Sequence, residues 1–314
     1  METTLEMARR LMEEHGVPGR DLYDIPDSPL TFPDGAHYRY EISGVERLST
    51  LEALVDEMQK TGQKVHRIIC TVMGATLLRK SELVQFAKLA HDAKLEAIIT
   101  PGPRIQWDTG RVYQSARGVF YGGRPRGSDW VSYYIADILR CIEFGFRGFL
   151  VWDEGVLKIL NEMREKGDIP KEVVFKMSVF AGHANAADAR LLEKLGANTF
   201  NPIGDLSLPM LAGIRKASRL PMDIYVYVWD QAGSINRFWE VSELARVAAP
   251  CYFKIEPGSQ PADYYTPWTP HEKNASFARE KVWMCEVMED LMKRGNPRLR
   301  TSEVGVKDLV LPVV

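Results

Sequence analysis

Two pairs of ionisable residues separated by one position, Arg39-x-Glu41 and Lys254-x-Glu256, stand in short β-branched or aromatic runs of this 314-residue chain. Side chains two apart lie on one face of a strand, so each pair sets a cation beside an acid. Lys176 occupies a third such run, flanked by Phe175 and Met177. This combination suits acid–base catalysis, with a carboxylate moving a proton while an ammonium group stabilises developing negative charge. On this reading Glu256 or Glu41 moves the proton, Lys254 and Lys176 stabilise the anion, and Arg39 or Arg104 clamps a substrate carboxylate. A lysine that loses its proton is also a Schiff-base nucleophile. Glu256 opposes that loss at Lys254, which leaves Lys176 as the better amine.

Further polar residues fall where the runs end: Arg104, Asp153, Glu154, His183, Asn185, Asn201, Asp205 and Asp230. His183, in AGHANAAD, is placed either as a general acid/base or metal ligand, or as a loop histidine near a helix N-terminus. Asp205 is expected to cap a helix. Arg39, Arg104, Tyr227 and Asn201 are the candidate substrate-binding residues. Glu41, Asp153 and Glu256, with His183 nearby, form a candidate divalent-metal set whose oxygen ligands suit magnesium or manganese better than zinc. HExxH and HxH patterns are absent, and Cys70, Cys141, Cys251 and Cys285 include no CxxC pair. A local zinc knuckle or clustered iron–sulfur site is therefore not expected, and the cysteines read as reduced, buried thiols.

The elements that must position these residues are eight short runs: 36–43, 65–71, 96–100, 147–152, 173–180, 198–202, 223–229 and 251–256. Helical period fills the gaps. Ser49 with Glu52 forms a capping-box pattern, Ser81 and Asn185 are placed to cap the helices that follow them, and Ser207 precedes another. Eight strand–helix alternations predict an α/β fold, a single (β/α)8 TIM-type barrel with an N-terminal helical extension. No GxGxxG follows the first strand, as a dinucleotide fold would require. Residues 1–35 read as a helix and a linker rich in Pro and Asp, 36–295 as the barrel, and 296–314 as a tail. Alternation places Tyr252, Lys254 and Glu256, Lys176 and Ser178, Arg39 and Glu41, and Tyr225, Tyr227 and Trp229 toward the axis. Strands one and eight are neighbours in a closed barrel, so their four charges meet, with Lys176 across the lumen. The cluster is either a catalytic site near the strand C-termini or a structural ion-pair network. The arginine-rich connection 102–129 reads as a lid over that face, or as a solvated or subunit-contacting loop.

A formal net charge of −2 gives no general reason to expect nucleic acid as a partner. No apolar run is long enough to span a bilayer and no signal peptide is evident, so a cytoplasmic address is expected. The final aromatic-rich segment, TPWTPHEKNASFAREKVWMCEVMEDLM, predicts a helix covering either its own barrel or that of a second subunit in a homo-oligomer.

Two stretches resemble the peptidase U32 (collagenase-like) family. SVFAGHANAADARLLEKLGANTFNPIGDLSLPML is similar to its strand-five to helix-six region, with Asp205-Leu206-Ser207 where members carry Glu-Leu-Ser. FKIEPGSQPADYY is similar to its Lys-Ile-Glu-Gly-Arg strand, through Lys254, Ile255 and Glu256. The resemblance implies the barrel and the importance of Lys254 and Glu256. The family's Cys-rich signature, which in several branches contributes to an iron–sulfur cluster, is replaced here by VYVWDQAGSINRFWE, and Pro257 replaces the glycine after Lys-Ile-Glu. No cluster is expected, and no Ser-His-Asp, Cys-His or HExxH apparatus supports peptidase activity. The expected function is an enzyme, hydrolase or lyase in type, that cleaves or rearranges a small anionic, carboxylated metabolite. The alternatives are a Schiff-base lyase using Lys176 and a non-catalytic binding or subunit protein.

Overall fold

The computed structural model describes residues 2–71, 74–102, 124–228, 235–256 and 269–314. Its eight parallel strands are β1 (Tyr38–Val45), β2 (Arg67–Cys70), β3 (Glu96–Ile99), β4 (Gly148–Val151), β5 (Val174–Met177), β6 (Thr199–Phe200), β7 (Met222–Tyr227) and β8 (Cys251–Ile255). Each pairs with its neighbours in chain order, and β8 returns to β1 to close the barrel. Helices α2 (Leu48–Thr61), α3 (Lys80–Asp92), α4 (Gly127–Glu143), α5 (Glu154–Lys166), α6 (Ala186–Lys194), α7 (Leu208–Ala217), α8 (Val241–Ala248) and α9 (His271–Gly295) alternate with the strands, and α1 (Thr4–Glu14) precedes them. The chain is thus a (β/α)8 barrel with an N-terminal helical extension, and all eight expected strands are present. None of the described helices is long and apolar enough to cross a membrane.

Alternation along the strands divides the molecule into two cores. Tyr40, Ile42, Phe149, Phe175, Phe253 and Ile255 point outward and are fully buried against the helices, each contributing about 1.5–3 kcal/mol by leaving water. Helix α9 covers the β8–β1 seam of its own barrel, burying Ala278, Val282, Cys285 and Met288 beside β1 and α2. All four cysteines are free and buried. The lumen is divided in turn. Ile69, Ile98 and Leu150 make an apolar cluster along β2 to β4, and charged side chains fill much of the rest.

Two helix starts differ from expectation. Helix α2 begins at Leu48, ahead of Ser49, and no side-chain cap is made by its N-cap residue Arg47. Glu82 of α3 supplies the acceptor instead, pairing with Arg47 at 2.7 Å and receiving the Leu48 N–H at 3.3 Å. A tertiary ion pair therefore replaces the local box, two residues earlier than the Ser49–Glu52 pattern suggests. Helix α3 likewise starts at Lys80, before Ser81 could cap it. Asn185 does cap α6, accepting from the Ala187 and Asp188 N–H groups.

The N-terminal face of the barrel is closed by the last residues of the chain. His66 joins this base to β1. Its Nδ1 accepts the Tyr40 N–H at 3.1 Å, and its Nε2 lies 2.9 Å from the Ser302 carbonyl oxygen, so the neutral tautomer protonated at Nε2 satisfies both contacts. Val310 donates its N–H to Glu96 at 3.1 Å and Val313 to the Gly145 carbonyl at 2.8 Å.

Burial pushes the His66 imidazole down to about 3, with the Ser302 bond opposing. The folded value lies below the unfolded one, so folding favours neutral His66. That stability is complete above about pH 6.5 and is lost as pH falls toward about 3. Between about pH 6.5 and pH 5 the loss from this group is about 2 kcal/mol. We expect urea midpoints to fall across that interval, and His66→Gln, although destabilised at neutral pH, to show a flatter dependence.

Candidate active site

Register sets which charges meet. Glu41 of β1 lies opposite Lys254 of β8 and Arg67 of β2, and Arg67 lies opposite Glu96 of β3. Lys176 reaches in from β5 and Asp223 from β7. Glu41, fully buried, has Lys176 Nζ at 3.1 Å and Lys254 Nζ at 3.8 Å from Oε1, and Arg67 Nη1 at 3.2 Å from Oε2. Arg67 Nη1 also donates to Asp223 at 2.9 Å and to Thr199 at 3.2 Å, and its Nε bonds Glu96. Lys176 pairs with Asp223 as well. Nearer the C-terminal ends, Lys254 is 3.1 Å from Glu256 and lies over the Tyr225 ring, whose hydroxyl donates to Glu256 at 3.4 Å.

The fields within this cluster act in opposite senses on its two lysines. For Lys254 burial pushes the ammonium down, but Tyr225, Glu256 and Glu41 outweigh it and hold it well above the usual lysine range. For Lys176 burial wins over Asp223 and Glu41, aided by repulsion from Lys254 and Arg67, and its pKa falls. Asp223 moves the opposite way for the same reason: burial raises it against the pull of Lys176 and Arg67. Glu41 is also penalised by burial, yet Lys176, Lys254 and Arg67 together hold it below the normal carboxylate range. The directions for Lys176 and Asp223 agree with each other. Burial thus favours the neutral form of both Lys176 and Asp223, while the three surrounding cations favour the charged form of Glu41.

Above this layer the lumen stays polar. Ser43 Oγ, Thr100 Oγ1 and Asn201 Oδ1, at the C-terminal ends of β1, β3 and β6, are buried without a hydrogen-bond partner among the described residues. The Asn201 amide nitrogen is tied to the Asp223 carbonyl at 2.6 Å, which fixes the orientation of the group. Helix α9 adds a residue not anticipated from sequence. Lys281 is 1% exposed, and its Nζ donates to the Ser43 carbonyl oxygen. Burial pushes it down to about 7 against the attraction of Glu256, Glu46 and Glu280. A lysine on a helix of mixed polarity reads as solvated, and only the packing of α9 over the β8–β1 seam reveals otherwise.

Several expected site residues stand elsewhere. Arg39 shares a face with Glu41 but lies one layer lower, opposite Tyr252. At the base it bonds Ser302 at 2.8 Å, Tyr252 at 3.2 Å and Asp308 at 2.9 Å, and stacks on Phe32, which leaves it no role as a substrate clamp at the strand C-termini. Tyr227 is not an axial residue. Tyr225 and Tyr227 pair with consecutive residues of β8, Lys254 and Ile255, so Val226 is an extra residue, a bulge. The bulge turns Val226 and Tyr227 toward the helices, Tyr227 beside Phe238, and returns Val228 to the side of Tyr225. Trp229 lies outside the described residues. Asp153 caps α5 through the Val156 N–H at 3.0 Å and pairs with Arg124. Among the described residues no three His, Cys, Asp or Glu side chains converge as a metal site. Glu41, ringed by three cations, and the capping Asp153 are therefore not ligands of one ion with Glu256.

His183 follows β5 at the rim. Its Nε2 is 3.0 Å from Glu154 and its Nδ1 3.8 Å from Asp188, and Glu154 in turn pairs with Arg124. None of its contacts among the described residues reaches the axial lysines. Arg104, Asp230 and most of the expected lid, 103–123, lie outside the described residues. Arg67, Glu96 and Asp223 are axial residues that sequence reading missed. The signal for Arg67 was its alternation with Ile69 and Thr71 against outward Ile68 and Cys70.

No protein-family model matches the chain, and no curated protein matches it. Among solved structures, a protein provisionally described as a fructose-1,6-biphosphate aldolase from Coccidioides immitis superposes with a TM-score of 0.52 at 12% identity, covering 82% of this chain and 92% of that one. The YdjI aldolase from Escherichia coli K12 gives 0.48 at 14% identity over 87% and 94% of the two chains. The U32 peptidase Mk0906 gives 0.43 at 15% identity over 74% and 98%. At these identities the likeness is one of fold alone.

Arg67 is the test of the cluster's energetics. Arg67→Met leaves Glu41, Glu96 and Asp223 without their common partner, and removing one member of a buried ionic group costs about 3–5 kcal/mol. We expect urea unfolding to show a loss of that size. A loss below about 1 kcal/mol, the range of exposed pairs, would show that the lumen is open to water.

Proposed function

We propose that the chain is an enzyme acting on a small carboxylated metabolite by acid–base chemistry at the C-terminal mouth of the barrel. The observation that carries this reading is the stack of a charged layer beneath buried polar atoms without partners. A barrel lumen is ordinarily filled by branched apolar side chains. Burying Ser43 Oγ, Thr100 Oγ1 and Asn201 Oδ1 unbonded costs about 1–3 kcal/mol each, a cost that a polar ligand at this level would offset.

In this reading Glu256 accepts a proton from substrate, with Tyr225 and Lys254 orienting its carboxylate. Lys254, firmly charged, faces the oxygen on which negative charge develops. Glu41 holds Lys254 and Lys176 in place from below. Lys281 completes the field near Glu256 from α9. We expect wild-type protein to exchange a carbon-bound proton, at C3 of a 2-oxo acid or C2 of a 2-hydroxy acid, for at least one member of a panel of such small acids in deuterated water, followed by NMR. Glu256→Gln should slow that exchange by about 10²–10⁴-fold with an unchanged circular dichroism spectrum. Absence of exchange for every member, or full activity in Glu256→Gln, would sink the proposal.

A second reading is favoured by the opposite directions of the two lysines. Of these two, Lys176 is the one lowered, and burial raises its neighbour Asp223, the pairing a Schiff base needs: an amine to attack a carbonyl and an acid to assist loss of water. Borohydride treatment with keto acids would then give a mass adduct on wild type that is lost in Lys176→Met. No adduct, or an adduct retained in that variant, removes this reading.

A further inference from the structure

A cavity of about 300 Å³ opens at the N-terminal end of the barrel, between the linker at 31–33, the residues entering β5 to β8, and Asp308 of the tail. Arg39, Arg67, Lys176 and Arg219 line it, against the two acids Glu96 and Asp308. Both acids are committed elsewhere: Glu96 to Arg67 Nε and the Val310 N–H, Asp308 to Arg39. The uncommitted groups on the wall are donors. Arg67 is 3% exposed and uses Nε and Nη1 on protein partners, while its Nη2 has none among the described residues. Tyr252 accepts from Arg39, and its own hydroxyl hydrogen has no acceptor there. Asn198 spends its carbonyl oxygen on Arg164 and the Phe175 N–H, which leaves its amide NH₂. The exposed Arg219 side chain makes no ion pair among the described residues.

We propose that this basal cavity binds a small oxyanion, a carboxylate or a phosphate, between Arg67, Tyr252 and Arg219. The Arg67 Cζ sits over the Tyr252 ring, 3.6 Å from its centroid, so the buried half of the cradle is held in place before a ligand arrives. A guanidinium edge with paired N–H donors, beside a second arginine lining the same cavity, suits oxyanions over halides. The volume is at the low end for ligand pockets, which limits the occupant to a small molecule or one end of a larger one. Arg67 also holds Glu41 and Asp223, so an anion at the base shares a cation with the axial cluster.

The inference does not depend on the mouth being catalytic. It is tested by calorimetric titration of the whole chain with inorganic phosphate and, separately, with acetate, each at constant ionic strength set by chloride. Saturable one-site binding of either anion is expected, and the anion preferred identifies the tetrahedral or the planar class. Arg219→Ala, a surface change that leaves the fold intact by circular dichroism, should weaken that binding about tenfold or more, the scale of one charge-assisted contact. Tyr252→Phe, which keeps the ring beneath Arg67, should weaken it as well. No saturable heat with either anion, or binding that both variants retain within about twofold, would overturn the proposal.

Discussion

One guanidinium in contact with three carboxylates governs what the rest of this barrel can be. Arg67 enters from β2, lies over Tyr252, and hydrogen-bonds Glu41, Glu96 and Asp223. A single carboxylate in so buried a place would take up a proton. Here one delocalised cation serves three together, and Lys176 and Lys254 also approach Glu41. The axial cations Arg39, Arg67, Lys176 and Lys254 number four, and so do the axial acids Glu41, Glu96, Asp223 and Glu256. Neutralising Lys176 and Asp223 by proton transfer removes one from each side and preserves the balance. The lumen can therefore move a proton internally without acquiring net charge, a property that an apolar barrel core lacks.

The fold was legible because its signal is redundant. Eight alternations, each weak, imply the same closure, and errors of a few residues at strand ends leave the topology unchanged. The polarity of the lumen was legible too, since Lys176, Glu41 and Lys254 alternate with large outward apolar side chains. Height was not. Alternation tells which face a residue takes but not its depth, so Arg39 and Glu41 looked equivalent although one lies at the base and the other at mid-barrel. The β7 bulge at Val226 was invisible for a related reason. One inserted residue reverses the phase of everything after it, and VYVW offers an apolar side chain at every position, so either phase looks acceptable.

Partners distant in sequence account for the remaining surprises. Glu82 reaches across to start α2, Lys281 comes over the seam from α9, and Arg124 bridges to Glu154, which sits against His183. In each case a charged residue that a local pattern reads as solvated, or assigns to a nearby cap, is claimed by an element far along the chain. His183 occupies the strand–helix junction where catalytic residues of barrels gather, and there it sits beside Glu154 and Asp188.

The tail that closes the base has a consequence for how the protein comes to exist in a cell. Arg39 and His66 are buried from the first two strands, and their partners Ser302 and Asp308 are more than two hundred residues away in the chain. A ribosome adding about 5–20 residues each second needs on the order of ten seconds or more between making β1 and making the segment that covers it. Until Cys251–Ile255 is made, β1 also lacks its neighbour β8, so the earliest strand carries one open edge and a buried-type charge with nothing to bury it. Vectorial synthesis therefore gives this barrel no head start: its first strand can reach its final environment only after Ser302 and Asp308 have emerged.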